Sequence, residues 1–291
     1  MSNYALAFLA NDRYLGWAVT FLESVRSIDA KLPLYCIPHS GPMAGILGLR
    51  KAFGFEILQE GLDRLDAFAK RLYPRHARYR ANLRKYSALT LPVDEVAYFD
   101  VDLVVLTEPA RLFGHIQPGH VDFLYLSTSP DWVYAAKSMR VARSLFPDMR
   151  LMSAGAFVTS RSALTLDELI TTTEDNLELF RSLRRSRVYD QPVLNFVLHR
   201  LGKRCRHIAE LDDSLAGVAS ARNPNLQPTN DKVIDRTVPG DVVAIHWAGN
   251  ARSLSRQANP QSWPMQRIRE SVRLQALQRV QRSKSLSCSD A

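Results

Sequence analysis

The stretch that decides the fold is Val-Asp-Glu-Val-Ala-Tyr-Phe-Asp-Val-Asp-Leu-Val-Val-Leu, residues 93–106. Its apolar and aromatic part, residues 96–99, follows Pro92 and is typical of a buried strand in an α/β sheet. Because side chains alternate along a strand, Asp100 and Asp102 leave the same face at its carboxyl end. Open α/β sheets bind their ligands at that end.

These two carboxylates need a partner if they are buried. Neighbouring carboxylates repel each other in low dielectric, and each is costly to bury unpaired. A divalent cation removes the conflict, and hard oxygen ligands suit magnesium or manganese. An exposed strand end with two solvated aspartates is the alternative. The apolar residues that flank and separate Asp100 and Asp102 favour the metal site.

The composition predicts a soluble globular protein. The chain has 291 residues, of which 46% are hydrophobic and 23% charged, enough for one large domain or two small ones. It has no apolar run long enough to span a bilayer and no secretory signal pattern at its start. Three widely spaced cysteines (Cys36, Cys205 and Cys288) suit a reducing cytoplasm better than a disulfide framework. The net charge of +9 favours anionic partners: phosphates, nucleic acid or an acidic membrane surface.

Strands and helices alternate before the aspartate strand. The pattern predicts strands at residues 4–9, 32–37 and 55–58, with helices at 15–28 and 43–53 between them. This order indicates a mostly parallel, doubly wound sheet. The first turn has no G-x-G-x-x-G motif, since Gly16 stands alone there. A bound metal would therefore neutralise a phosphate group here, whereas other proteins hold the phosphate on a glycine-rich loop.

Residues 66–91 are predicted to be helical and carry a dense basic set. Its members are Lys70, Arg71, Arg75, Arg78, Arg80, Arg84 and Lys85. A solvated helix face explains most of them. Arg84 and Lys85 lie just before the aspartate strand, where a cation can approach a metal-bound diphosphate. The segment has no recognised nucleic-acid motif and no clear basic stripe, so we expect no nucleic-acid partner.

Three pieces after the aspartates are informative. Met152–Thr159 is a predicted strand in which Gly155 permits close approach of a ligand or of a neighbouring strand. Another helix begins at Asp190, which stands at the N-cap position. A last apolar strand ends at His246, which is either a hydrogen-bonded core histidine or a metal ligand that complements the aspartates.

The remaining segments carry less signal. Residues 210–240 are rich in Asn, Pro, Asp and Thr, and we interpret them as a long irregular excursion that faces the acceptor. Residues 263–291 predict a basic helix of modest amphipathic character. A frayed, solvated tail is the first interpretation of it, and attraction to an anionic membrane is the second. We predict one domain over residues 1–262, with halves of about 1–106 and 107–262, followed by the basic helical tail over 263–291.

Taken in order, these pieces resemble the GT-A glycosyltransferases, and in particular the retaining, glycogenin-like family (glycosyltransferase family eight). The likeness extends over residues 4–253. It lies in a strand that ends in Asn-Asp, a lysine before an Asp-x-Asp strand, a small-residue strand, an Asp-Gln-x-x-Leu-Asn helix and a His-x-x-Gly strand. The resemblance implies an α/β, Rossmann-like and mostly parallel central sheet flanked by helices, with a basic helical C-terminal extension. It also implies that residues 1–262 are one catalytic domain, with a nucleotide-binding half at about 1–106 and an acceptor-side half at about 107–262.

The resemblance also implies roles for the matching residues. Asp100, Asp102 and His246 would bind Mn²⁺ or Mg²⁺. Asp190, Gln191 and Lys85 are the implied catalytic residues, the first two at the donor sugar. The residues implied to hold the nucleotide sugar are Ala10, Asn11, Asp12, Tyr14, Lys85, Asp100, Val101, Asp102, Ser153, Ala154, Gly155, Gly249 and Arg252.

Some positions depart from the family pattern. Ser153 stands where the family has asparagine, so an amide contact to the sugar is missing. Arg252 replaces the usual diphosphate-binding lysine and keeps its charge, and Ser253-Leu254 replaces the usual Pro-Trp. These departures put the donor sugar in question more than the reaction class.

The implied function is transfer of a hexose-type sugar from a UDP-sugar to a hydroxyl group with retention, in surface glycan or polysaccharide synthesis. The acceptor would be a glycan, lipid-linked or protein molecule. The expected location is the cytoplasm, with the basic tail in peripheral contact with the inner membrane surface. Two other classes stay open: a metal-dependent phosphodiesterase or nucleotidyltransferase, and a non-catalytic basic adaptor that binds nucleic acid or membrane.

Overall fold

The structure is a computed structural model that describes residues 3–76, 80–128, 132–185, 190–229, 232–247 and 263–288, the last of these with side chains for 268–283. The strands are β1 (Tyr4–Ala10), β2 (Leu34–Pro38), β3 (Glu56–Ile57), β4 (Glu95–Asp100), β5 (Leu103–Val105), β6 (Phe123–Tyr125), β7 (Ala156–Ser160), β8 (Cys205–His207), β9 (Leu215–Ser220), β10 (Leu226–Pro228), β11 (Val233–Asp235) and β12 (Asp241–His246). The α-helices are α1 (Leu15–Ile28), α2 (Ala44–Leu47), α3 (Arg50–Phe53), α4 (Leu62–Leu72), α5 (Met139–Leu145), α6 (Leu166–Asp175), α7 (Leu177–Leu183), α8 (Asp190–Arg200) and α9 (Trp263–Cys288). Short 3₁₀ segments lie at Asp12–Tyr14, Ala81–Thr90, Pro109–Leu112, Ala136–Ser138 and Ile208–Glu210.

The central sheet has the strand order β3-β2-β1-β4-β7-β6-β8. The first four strands are parallel, β7 runs antiparallel to both of its neighbours, and β8 is parallel to β6. Leu9 of β1 lies opposite Asp100 of β4, so both strands end at the same edge. The predicted mostly parallel sheet is confirmed, and its carboxyl edge is where the two aspartates lie.

The sheet is covered on both faces. Leu6 and Phe8 of β1 are buried in a core shared with α1 and the second sheet, whereas Ala5, Ala7 and Leu9 are buried in a core shared with α4, α6 and α8. This strict alternation follows from the period of two along a strand. A β-strand with apolar residues on both faces is buried on both, as its continuous apolar sequence predicts.

A second sheet has the order β10-β11-β12-β5, and β9 also pairs with β12. Three of its strands lie within residues 210–240, so the predicted irregular excursion is wrong. The strands there are short: β10 is half-buried or exposed along its length, and Val233 is the one buried residue of β11. Because β9 pairs with β12 across the intervening β10 and β11, and these two pair with each other and with β12, the pattern within any one segment did not reveal them.

Two predicted helices are divided in the structure. The helix expected over residues 43–53 is split into α2 and α3 around Gly48, and the second of these ends at Gly54 in a left-handed conformation with φ of 58°. The basic helix expected over 66–91 becomes α4 and a 3₁₀ segment at Ala81–Thr90. The 3₁₀ segment carries Lys85 to the aspartates.

The C-terminal helix α9 packs against α1 and α3. Ala276 is fully buried, and Ile268, Val272 and Val280 pack against the core at helical spacing. The frayed, solvated tail is therefore a wrong interpretation for this part of the chain. The helices that the structure describes include none long and apolar enough to cross a membrane.

We expect the replacement Arg279→Ala to lower the free energy of unfolding by about 2 kcal/mol, because it leaves a buried carboxylate uncompensated. Arg279 in α9 donates to both carboxylate oxygens of Glu23 in α1, at 2.6 and 3.0 Å, and the Glu23 side chain is 6% exposed. Urea unfolding followed by circular dichroism measures the change. The control Arg273→Ala removes an exposed pair with Glu270 and should change stability by less than about 0.5 kcal/mol. Equal effects of the two variants would contradict the prediction.

Candidate active site

The aspartates lie where the chain leaves one sheet and enters the other. Asp100 is the last residue of β4, and β5 begins at Leu103 in the second sheet. There β5 pairs with β12, which places His246 opposite Leu103. The backbone N–H of Trp247 donates to the Asp102 carbonyl at 2.9 Å. This pairing brings the imidazole Nε2 of His246 to 3.0 Å from Oδ1 of Asp102, although the two residues are 144 positions apart.

The side chains of Asp100, Asp102 and His246 form a cluster in which one ligand atom from each lies within 4.8 Å of the others. Two carboxylates and an imidazole form a donor set that suits Mn²⁺, and Mg²⁺ through the oxygens. Gly155 borders this cluster: a Cβ there would be 3.0 Å from both Asp100 Oδ2 and His246 Cε1. The donor set and the space kept by this glycine both fit a divalent cation.

One oxygen of Asp100 is held by the protein. Its Oδ1 accepts from the Tyr98 hydroxyl at 2.7 Å and from the Lys85 ammonium at 3.1 Å. Its Oδ2 faces Gly155. The carboxylate is thus fixed on one side by buried donors and presents its second oxygen toward His246.

Lys85 links the aspartate strand to α8. Its side chain is 3% exposed, and its ammonium group contacts Asp190 Oδ2 at 2.6 Å as well as Asp100 Oδ1. It also donates to the Ala154 carbonyl at 3.2 Å and lies 5.0 Å from the centre of the Tyr98 ring. Asp190 begins α8, and its carboxylate is paired with this buried cation. Lys85 therefore fixes two candidate site carboxylates relative to each other.

The charges of the cluster shift its proton affinities. Burial alone would lower the pKa of His246, but the charge and hydrogen bond of Asp102 together with the charge of Asp100 outweigh it, and the pKa is raised above its ordinary value. Burial would raise the pKa of Asp102, but His246, a backbone hydrogen bond and the charge of Lys85 together outweigh it and the pKa is lowered. Burial raises the pKa of Asp100, assisted by the neighbouring Asp102 and opposed by Lys85. Without a metal, His246 and Asp102 thus favour an ion pair.

We expect the affinity for Mn²⁺ to fall as the pH is lowered through neutrality toward 6. A protonated imidazole cannot bind a cation, so binding must release the His246 proton, and the raised pKa makes this competition begin at a higher pH than for free imidazole. Proton uptake by Asp100 acts in the same direction. For one competing proton the dissociation constant rises about tenfold per pH unit below the histidine pKa. Calorimetric titration of Mn²⁺ between pH 8 and 6 measures it, and a constant affinity across that range would contradict the prediction.

The predicted nucleotide segment lies beside the cluster, at the end of β1. Ala10 is fully buried, and the Asn11 side chain is 4% exposed, donating to the Ser40 carbonyl and accepting from the Arg13 N–H. Asp12 Oδ1 accepts from the Ile46 N–H at 3.0 Å. These polar groups order the loops at the sheet edge. Their contact with a nucleotide stays a prediction.

Three further residues singled out in the sequence, Tyr14, Val101 and Arg84, make contacts within the protein near the sheet edge. The partly exposed Tyr14 ring packs edge-on against His39, with ring centroids 5.8 Å apart. The Val101 side chain is 6% exposed and belongs to the core, which leaves its backbone for any ligand contact. Arg84 is paired with Asp66 and donates to the Pro38 carbonyl.

The small-residue strand and the Asp-Gln helix are fixed by buried hydrogen bonds. Ser153 is 8% exposed, and its hydroxyl accepts from the Gly155 N–H at 3.2 Å. The fully buried Asn195 accepts from the Met152 N–H and donates to the carbonyls of Met152 and Gln191. Gln191 is half-buried in the first turn of α8. Gly249 and Arg252 lie outside the described residues.

Sequence reasoning missed two tyrosines that support the site. Tyr98 holds Asp100, and Tyr86 donates its hydroxyl to the Asp190 carbonyl at 2.8 Å. Tyr98 precedes Asp100 by two residues, so strand alternation already places both on one face. Tyr86 follows Lys85 in a 3₁₀ segment whose period gives no comparable signal.

The described fold is similar to those of solved glycosyltransferases. The galactosyltransferase LgtC, in complex with donor and acceptor sugar analogues, matches with a TM-score of 0.62 at 14% identity, over 92% of this chain and 95% of that chain. Mouse xyloside xylosyltransferase 1 matches with a TM-score of 0.57 at 13% identity, over 85% of this chain and 98% of that one. The bifunctional glycosyltransferase WbbM matches with a TM-score of 0.53 at 15% identity, over 85% of this chain and 46% of WbbM.

Sequence comparison adds no closer relation: no protein-family model and no curated protein matches this chain. At 13–15% identity, the structural likeness shows the fold. The predicted GT-A fold is thereby confirmed. The narrower assignment to the glycogenin-like family stays a prediction.

Proposed function

We propose that this protein is a metal-dependent glycosyltransferase that moves a hexose-type sugar from a UDP-sugar to an acceptor hydroxyl with retention of configuration. One observation carries the proposal. Asp100, Asp102 and His246 converge beside the buried Lys85–Asp190 pair, at the carboxyl edge of the central sheet. The shared fold of the galactosyl- and xylosyltransferases supports sugar transfer as the reaction performed at this edge.

The acidic cluster would hold the cation. Asp100, Asp102 and His246 would hold it, and Asp102 and His246 would give up their mutual hydrogen bond to do so. Bound there, Mn²⁺ or Mg²⁺ would supply Lewis acidity that offsets the charge growing on the leaving nucleoside diphosphate. Tyr98 and Lys85 hold one oxygen of the Asp100 carboxylate in place, so little reorganisation of this residue would accompany binding.

The Lys85–Asp190 pair would position the donor sugar. Asp190 and Gln191 open α8, and the buried ammonium of Lys85 fixes the Asp190 carboxylate in one place. Sugar hydroxyls donate well to a carboxylate held this way, which orients the anomeric carbon for attack. The acceptor oxygen forms the new bond to that carbon on the side from which the diphosphate departs, and a phosphate oxygen takes the acceptor proton.

The wider assignments follow from this proposal. A glycan, a lipid-linked molecule or a protein would supply the hydroxyl. Synthesis of surface glycan or polysaccharide in the cytoplasm, with α9 at an anionic membrane surface, agrees with the positive net charge.

A thermal-shift screen of nucleoside diphosphates, each with and without Mn²⁺, tests the proposal. We expect the melting temperature to rise with UDP and Mn²⁺ together, and not with the adenine or guanine compounds, because a ligand that binds only the folded state stabilises it. Mass spectrometry of products from a nucleotide-sugar panel then identifies the reaction. Release of UDP with a glycosylated acceptor supports the proposal. Cleavage to UMP and a sugar phosphate would identify a phosphodiesterase, and metal-independent, salt-sensitive binding alone would identify an adaptor.

A further inference from the structure

The C-terminal helix reaches the candidate active site through one arginine. The guanidinium carbon of Arg269 in α9 lies 5.1 Å from the centre of the Trp17 ring and 6.0 Å from that of Trp247. The two indole rings are themselves 6.0 Å apart, and their residues are 7% and 4% exposed. We refer to Arg269, Trp17 and Trp247 as the arginine–tryptophan cluster.

This cluster adjoins the metal-binding residues. Trp247 follows His246 directly, and its backbone N–H donates to the Asp102 carbonyl at 2.9 Å. Trp17 lies in the first turn of α1, immediately after the segment at Asp12–Tyr14. A displacement of the Trp247 ring would therefore be transmitted to the end of β12, and from there to the His246 imidazole.

Stacking holds Arg269 in this place. Its Nη1 atom is buried and has no hydrogen-bond acceptor among the described residues. A guanidinium over a tryptophan face is attracted more strongly as water is excluded, and here the half-buried Arg269 lies against two buried indole rings. Lysine keeps the charge but lacks the planar group that stacks on an indole. The contact therefore favours arginine over lysine.

We propose that Arg269 is a positioning residue: by stacking on Trp247 it holds the end of β12, and with it His246, in the geometry that binds the metal. This inference rests on the proposed function, because it requires the cation site. Binding free energies are reciprocal, so metal binding and the docking of α9 should stabilise each other.

Titration of Mn²⁺ into Arg269→Ala and Arg269→Lys variants tests the proposal, by calorimetry and by tryptophan fluorescence in the absence of any sugar donor. The control is Arg273→Ala on the same helix, where the arginine is exposed and pairs with Glu270. We expect the dissociation constant for Mn²⁺ to rise about tenfold in Arg269→Ala. In Arg269→Lys less than half of the lost affinity should be restored, and in the control the dissociation constant should stay at the wild-type value. In turnover assays the KM for Mn²⁺ should rise, while kcat at saturating metal changes by less than about twofold.

The outcomes separate this inference from the proposed function. Wild-type affinity for Mn²⁺ in Arg269→Ala, whatever its melting temperature, would overturn the inference and leave α9 a scaffold only. Failure of the wild-type protein to bind Mn²⁺ would instead overturn the metal site, and the inference with it. Should Arg269→Ala not fold, Arg269→Lys decides the same question: full wild-type affinity there overturns the inference.

Discussion

The replacement Asp102→Asn should abolish tight metal binding and reduce sugar transfer about 10³-fold, the loss expected when preorganised charge stabilisation is removed from an active site. The asparagine has the shape of aspartate and keeps an oxygen for His246, so the pair at 3.0 Å can persist as a neutral hydrogen bond. What disappears is one negative charge and one carboxylate ligand of the cluster. Calorimetric titration of Mn²⁺ and a transfer assay with saturating donor measure the two effects.

A matched control lies on the same strand as His246. Asp241 begins β12 and pairs with Lys232, with 32% of its side chain exposed. The variant Asp241→Asn therefore removes one carboxylate from β12 without touching the cluster, and we expect its metal affinity and transfer rate to stay within about twofold of wild type. If Asp102→Asn retained wild-type metal binding and transfer, the assigned role of Asp102 would be wrong.

The replacement Lys85→Met should lower the free energy of unfolding by about 3 kcal/mol, because it leaves two carboxylates without their buried cation. The lysine side chain is 3% exposed, and those of Asp100 and Asp190 are 28% and 19% exposed. Transfer activity should fall with it, since the Asp190 carboxylate loses its fixed position. Saturating Mn²⁺ should restore part of the stability, because the metal replaces some of the missing positive charge beside Asp100.

The neighbouring Arg84 provides the comparison. It also pairs with an aspartate, Asp66, but its side chain is 20% and that of Asp66 is 42% exposed. We expect Arg84→Met to cost about 1 kcal/mol and to gain no extra stability from Mn²⁺ over that of the wild type. Urea unfolding of both variants, with and without the metal, measures the difference. Equal losses in the two variants, or equal recovery with Mn²⁺, would show that Lys85 has no special link to the metal site.

The sequence was most informative where charged side chains stand among apolar residues. Asp100 and Asp102 interrupt an apolar strand, and this placement predicted both the strand end and two candidate metal ligands, which the structure brings together with His246. The parallel order of β1, β2, β3 and β4 followed from alternating strand and helix patterns.

The parts that sequence did not predict depend on distant partners. The salt bridge between Lys85 and Asp190 joins a 3₁₀ segment to the start of α8 and leaves no periodic pattern. The strands β10 and β11 have three residues each, too few to show alternation, and they form by pairing with each other and with β12, while β9 forms by pairing with β12. The docking of α9 is a similar case. Arg279 pairs with the buried Glu23 of α1, and the two residues are so far apart in sequence that no local pattern shows the contact.

The wide sequence separation of Asp102 and His246 also has a consequence for biosynthesis. A ribosome releases the two aspartates long before the strand that carries the imidazole, so a nascent chain holds an incomplete ligand set for most of its synthesis. Contacts between such remote parts of a chain form late in folding, after the loops between them have closed. Acquisition of the metal by a newly made molecule would therefore report that β12, the last strand of the second sheet to be synthesised, is in place.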